Sequence, residues 1–222
     1  MGIGPQIISI YSELFSKVRL DKSSQLEVCE LGRQNMTINQ NIDYIFKDLF
    51  KQFNKTPNSE LMKIAPKDNW GIRAKILYES LGFNYFSIDV DFDEINEDVS
   101  SNLIMDLNFD TLDNKFHNKY DLVTNFGTSE HLLNQLNFFK IMHELTKVGG
   151  LIISEVPCMF GLNHGMFKYE PKFFTDLARS NAYEIVDLYL VEDPPSLKIY
   201  KWNEKVKIKS CQEMCIISIM KK

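Results

Sequence analysis

Three carboxylates stand at matching places in the chain, each at or just after a short apolar run: Glu30 in LEVCELG, Asp89 in YFSIDV and Asp106 in LIMDL. In an open parallel sheet, acids at strand ends point into the crevice where a ligand lies. An acid at the end of the second such run suits a ribose, because a carboxylate accepts from both hydroxyls. Gly32, just after the first run, allows backbone to approach a ligand closely. Two imidazoles add a second chemistry. His131 closes the segment YDLVTNFGTSEH, and His164 lies in Asn163-His164-Gly165, beyond LIISEVP. Near neutral pH an imidazole takes a proton from a hydroxyl, so either is a candidate general base. The plainer alternatives are that His131 caps or packs and that His164 stabilises a loop. His143 falls among apolar helical positions and reads as structural, and His117 lies in a polar link. Glu130, His131 and His164 are ordinary metal-ligand types. Glu130 and His131 are adjacent, which makes shared ligation awkward, and no metal is expected.

The stretch 120–157 must position most of these groups. Asp121 to Thr124 is a buried-strand pattern, and Asn125 to Ser129 breaks it with turn formers. From about Glu130 to Thr146, Leu132, Leu133, Leu136, Phe139, Met142 and Leu145 recur at helical spacing, which predicts a helix with His131 at its start. Gly149-Gly150 stops it, and Leu151-Ile152-Ile153 begins the next strand. A βαβ unit of this kind gathers its loops at the carboxyl ends of a parallel sheet. A ligand is therefore expected near residues 125–131.

Elsewhere, helices are expected over residues 5–19, 41–53, 70–81 and 171–181, and strands over 26–31, 85–90 and 184–191. Residues 103–107 form a short strand or its approach. Residues 206–208 and 214–220 suggest closing strands joined as a hairpin. The segment 54–69 holds two prolines and many polar residues, and a surface loop or lid is expected there within a long insertion over 33–70. No repeat or linker divides the chain, so a single domain over 1–222 is expected, with 192–222 supplying the final strands.

Composition narrows the function classes. A hydrophobic fraction of 44% over 222 residues supports a packed core, which excludes a disordered chain. The net charge is −5, and no basic run exceeds a pair before Lys221-Lys222, which disfavours nucleic acid as a partner. No segment approaches a membrane span, and the N-terminus lacks a signal-peptide pattern. Cys29, Cys158, Cys211 and Cys215 form no CxxC pair; Cys29 and Cys158 read as buried free thiols, Cys211 and Cys215 lie too far apart along a strand face to bridge easily, and a reducing cytoplasm fits best. There is no GxGxxG, GxxxxGK[ST] or GxSxG, so dinucleotide, P-loop and serine-hydrolase chemistry lack their frames. Asp89, Asp91 and Asp93 imitate a calcium loop, but Glu94 replaces its glycine and Ser100 its bidentate acid.

The chain resembles the class I S-adenosylmethionine-dependent methyltransferases. The resemblance runs from about Leu26 to Asn181 and rests on ELG at 30–32, SID at 87–89, MDL at 105–107, YDLVTNFGTSEH at 120–131 and LTKVGGLIISEVP at 145–157. The segment 163–184 further resembles a bacterial subgroup acting on small molecules or surface sugars. The resemblance implies a Rossmann-like α/β fold, doubly wound, whose mainly parallel seven-stranded sheet has an antiparallel last strand. It implies that Glu30 and Gly32 line the cofactor floor, Asp89 holds the ribose, and Asp106 and Leu107 flank the adenine. Asn125, Phe126 and Gly127 would face the methionine part and the transferring methyl. The family's further glycines after the first are replaced here by Arg33, Gln34 and Asn35, a bulkier loop that would contact the cofactor through backbone and Gln34. The expected activity is O-methylation of a small molecule or saccharide, with His131 or His164 as base. An N-methyltransferase is the nearest alternative, and a non-catalytic relative that binds the cofactor or a protein is another. Met166, Phe167 and Tyr169 read as core rather than as walls of an acceptor pocket. The apolar N-terminal helix is available for an oligomer interface.

Overall fold

The alternation of apolar strands and amphipathic helices builds a sheet covered on both faces. The computed structural model describes residues 2–21, 24–36, 43–57, 61, 72–91, 99–159, 161–192, 198–206 and 213–222. The strands are β1 (Leu26–Leu31), β2 (Asn35–Met36), β3 (Ile72–Arg73), β4 (Phe83–Asp89), β5 (Asn102–Ile104), β6 (Tyr120–Phe126), β7 (Thr146–Met159), β8 (Glu184–Glu192), β9 (Ile199–Lys201) and β10 (Met214–Lys221). Among the described residues, eight of them form one sheet in the order β5-β4-β1-β6-β7-β10-β8-β9, while β2 and β3 pair separately. The run from β5 to β7 is parallel. Strand β10 inserts antiparallel between β7 and β8.

The expectation of seven strands is corrected to eight. The extra strand is β9, three residues long and antiparallel to β8 at the sheet edge, too short to leave an alternation in the sequence. Of the expected hairpin partner at 206–208 only Val206 is described, outside any strand; 207–212 fall outside the described residues, as do Cys211 and the loop at 193–197. The isoleucines of β10 explain its place in the sheet. Ile216, Ile217 and Ile219 are fully buried on alternate faces, and burial of each such side chain contributes about 1.5–3 kcal/mol.

Helices α1 (Pro5–Lys17), α2 (Asp43–Gln52) and α3 (Ala74–Leu81) cover one face; α4 (Gln135–Leu145) and α5 (Pro171–Asn181) cover the other. Pro5 opens α1, where its missing N–H costs nothing, and Ile7, Ile8, Tyr11, Leu14 and Phe15 bury one stripe. Phe46, Leu49 and Phe50 of α2 are buried in the same cluster as α1, and most of the expected lid, at 58–60 and 62–71, lies outside the described residues. Gly82 closes α3 in the left-handed region at φ 96°. All seven residues of β6 are buried, as expected of a central strand with both faces covered. Among the described residues no helix is long and apolar enough to cross a membrane.

The helix expected from Glu130 begins later. Ser129–His131 form a 3₁₀ turn, and α4 starts at Gln135, capped by the Asn134 side chain accepting from the Asn137 N–H. Asn108 fixes that start by accepting from the N–H groups of Leu133 and Asn134. Leu133 and Leu136, expected to point inward, are therefore exposed.

Candidate functional site

The sheet order reverses between β1 and β6, because the chain leaves β1 towards β4 and β5 on one side and resumes with β6 and β7 on the other. The loops beyond those two strands bound the crevice that such a reversal opens. Gly32 makes their close approach workable. It lies at φ 75°, and a Cβ there would overlap the Thr128 hydroxyl, which donates to the Leu31 carbonyl at 2.7 Å. Sequence reasoning passed over Thr128; its position four residues before a leucine run carries no signal.

Glu30, one residue before the end of β1, is fully buried. Its Oε2 accepts from the Gln34 N–H at 2.9 Å and the Tyr85 hydroxyl at 2.7 Å. Burial pushes its pKa up to about 7, against the pull of those two hydrogen bonds and Arg73. Oε1 has no hydrogen-bond partner among the described residues. Gln34 is buried, and its side-chain amide donates to the Gly32 carbonyl. It shapes the loop from within.

Asp89, at the end of β4, is engaged by the loop after β1. Its Oδ2 accepts from the Arg33 N–H at 2.9 Å, with Arg33 Nε at 3.6 Å, and its Oδ1 accepts from the Val90 N–H at 2.8 Å. The Arg33 guanidinium also donates to the Asp91 carbonyl. Each carboxylate oxygen has two lone pairs, so Asp89 retains capacity for a diol. Beyond β5, Asp106 Oδ1 accepts from the N–H and side-chain amide of Asn108, and the Asp106 N–H donates to Asp110. Leu107 is buried, and its carbonyl accepts from Asn137.

Asn125 and Phe126 turn inward. The Asn125 amide donates to the Ser129 and Ser154 hydroxyls while its Oδ1 accepts from the Ser129 N–H. The Phe126 ring packs 6.3 Å from Tyr11. These two side chains hold the end of β6 in place; half-buried Gly127, at φ 76°, carries the chain past the rim.

His131 and His164 come together on the same rim, ring centroids 5.5 Å apart. Between them sits Glu130, whose side chain is fully buried, with His164 Nε2 at 3.6 Å and His131 Nε2 at 3.9 Å from its Oε1. The loop carrying His164 is tied down by the Met166 and Phe167 N–H groups, both donating to the Glu130 carbonyl at 2.8 and 3.2 Å. Burial raises the Glu130 pKa, with the charge of His164 opposing. Burial, then the charge of His164, lowers that of His131. Tyr169 is core as expected, its ring against Phe139, Phe173 and Phe174 and its hydroxyl donating to Gln135 at 2.7 Å. Phe167 packs against the same cluster, but Met166 is exposed.

No protein-family model matches the chain, nor does any curated protein. Solved structures do. One is Burkholderia thailandensis 1,6-didemethyltoxoflavin-N1-methyltransferase with bound 1,6-didemethyltoxoflavin and S-adenosylhomocysteine, similar over 97% of this chain and 77% of that one, at TM-score 0.50 and 9% identity. Another is the complex between the Haloferax volcanii Trm112 methyltransferase activator and a candidate methyltransferase, similar over 96% of this chain and 88% of that one, at TM-score 0.52 and 9% identity. At such identity the likeness is one of fold. The chain has the Rossmann-like α/β fold of these methyltransferases, with a mostly parallel central sheet.

Proposed function

We propose that this protein is an S-adenosylmethionine-dependent methyltransferase that methylates a hydroxyl of a small molecule or saccharide, with His131 or His164 as the base. The observation that carries this reading is the convergence of the two imidazoles on the rim beyond β6 and β7, 5.5 Å apart. That rim adjoins the sheet's reversal point, where a ligand of this fold class sits.

The residues at the reversal fit S-adenosylmethionine by their chemistry. Asp89 and Asp106 supply acceptors for ribose hydroxyls and an exocyclic amine, and the absence of a phosphate cradle suits a ligand without phosphate. Glu30 and Gly32 line the floor, Gln34 holds the loop, and Leu107 packs beside the adenine position. The main chain from Asn125 to Gly127 borders the place of the methionine part. Bound S-adenosylmethionine supplies an electrophilic methyl: the acceptor's oxygen–carbon bond forms as the carbon–sulfur bond breaks, and the sulfonium sulfur keeps the electron pair. The protein's part is to align the acceptor and to take its proton. An imidazole flanked by buried Glu130 would accept that proton and be stabilised as a cation by the carboxylate. Cys29 and Cys158, both free thiols, suit a reducing compartment such as the cytoplasm.

Nitrogen as acceptor is the second reading, favoured by the N1-methyltransferase name of the Burkholderia relative. A neutral amine needs no base, so the two readings part at the histidines. Transfer of labelled methyl to panels of hydroxyl and amine acceptors, by wild type, His131→Ala and His164→Ala, tests this. Loss of turnover to hydroxyls with cofactor binding retained supports the reading; unchanged turnover in both variants sinks it.

A further inference from the structure

Glu130 carries a reading beyond proton transfer. Its side chain is fully buried, yet neither carboxylate oxygen has a hydrogen-bond partner among the described residues. A buried carboxylate without hydrogen bonds is costly, and natural proteins keep one where a cation or catalytic task compensates. The Nε2 atoms of His131 and His164 stand 3.9 and 3.6 Å from its Oε1, and one donor atom from each of the three residues lies within 4.8 Å of the others.

We propose that Glu130, His131 and His164 bind a divalent transition-metal ion. The adjacency of Glu130 and His131 does not keep their donors apart. The 3₁₀ turn over Ser129–His131 brings His131 Nε2 to 3.9 Å from Glu130 Oε1, and the His164 loop brings a third donor from another strand's end. Ligands around a zinc-like ion at about 2.0–2.2 Å stand roughly 3–3.4 Å from each other. The observed 3.6 and 3.9 Å therefore require only rotamer adjustment of two part-exposed imidazoles. Gly165 holds that loop close: a Cβ there would stand 2.8 Å from the Glu130 Cγ.

The donor set decides the class of ion. Two imidazoles and one carboxylate suit Zn²⁺, Co²⁺, Fe²⁺ or Mn²⁺, whereas Mg²⁺ and Ca²⁺ prefer oxygen throughout. Three protein ligands leave positions open. The ion's binding stands by itself; its role rests on the methyltransferase reading. There an open position would take the acceptor's oxygen, and the ion would lower the hydroxyl's pKa so that its proton passes to solvent as the methyl arrives. The imidazoles then act through the ion, and direct base catalysis would belong to the ion-free protein.

The test is a titration of the metal-stripped full chain with Co²⁺ alone, followed by visible absorption, with Zn²⁺ as competitor. Ligand-field bands saturating at about one equivalent, displaced by Zn²⁺ and not by Mg²⁺, are expected, with affinity at least about tenfold lower in His131→Ala and in His164→Ala. The side chains of both histidines are part-exposed, 50% and 37%, so these variants should fold. Absence of a saturating band in wild type, or unchanged affinity in both variants, would overturn the site. Cofactor binding is read separately by calorimetry, so a lost methyltransferase reading and a lost ion site give different patterns.

Discussion

The His164 imidazole stands 3.6 Å from a carboxylate oxygen of Glu130, a buried acid one helix and one strand earlier in the chain. The pair joins the loop after β6 to the loop after β7. Gly165 sets their spacing, since any side chain at 165 would press into Glu130 Cγ, Cβ and carbonyl oxygen. Gly165→Ala is expected to destabilise the fold by about 1–3 kcal/mol through overpacking. By moving the His164 loop, it should also lower methyl transfer far more than S-adenosylmethionine affinity. Urea unfolding, turnover and calorimetry on the one variant check both parts.

Glu30 makes stability depend on pH. Its folded pKa of about 7 lies above the ordinary value of 4.5. Between those values the folded state holds a proton that the unfolded state has lost, so stability falls as pH rises. The loss amounts to about 3 kcal/mol and is complete above roughly pH 7. Glu30→Gln should flatten this part of the profile. Urea midpoints for both proteins at intervals from pH 4 to 8 measure it, and parallel profiles would contradict the assignment.

Ala182 ends α5 in the left-handed region, at φ 55°, with its N–H donating to the Ala178 carbonyl. Glycine adopts that conformation without the Cβ penalty. Ala182→Gly is expected to stabilise the protein by about 0.5–1 kcal/mol, a rise in Tm of roughly 1–4 °C. A thermal scan that shows a fall would mean that Ala182 contributes packing outweighing the backbone strain.

Where a segment's fate was decided by its own residues, the sequence made it legible. The strand Leu26–Leu31 and the helix Pro171–Asn181 coincide with their expected bounds, the first an apolar run ended by glycine, the second opened by proline. The places of Glu30 and Asp89 at strand ends, and of His131 and His164 in the loops after β6 and β7, were legible too, while their roles are proposals. What failed depended on distant partners. The leucine period through Leu132, Leu133 and Leu136 pointed to a helix, but the hydrogen bonds of Asn108 and the Asn134 cap delay it. That delay gives Glu130 and His131 the tight turn on which the proposed ion site depends. Strand β9 exists only because β8 offers it an edge. Arg33 looked merely bulky until the fold brought Asp89 to its N–H.

Asp89 is the proposed ribose carboxylate. Asp89→Ala removes acceptors that would serve two hydroxyls, and charge-assisted hydrogen bonds are each worth about 1.5–3 kcal/mol. It should weaken S-adenosylmethionine binding by at least about tenfold.

Calorimetric titration of the purified protein with S-adenosylmethionine, and separately with S-adenosylhomocysteine, is the most direct test of the proposed activity. Micromolar binding of both, weakened in Asp89→Ala, is the expected result. No heat from either ligand, with protein whose circular dichroism and thermal transition show it folded, would contradict a cofactor site at the reversal of the sheet.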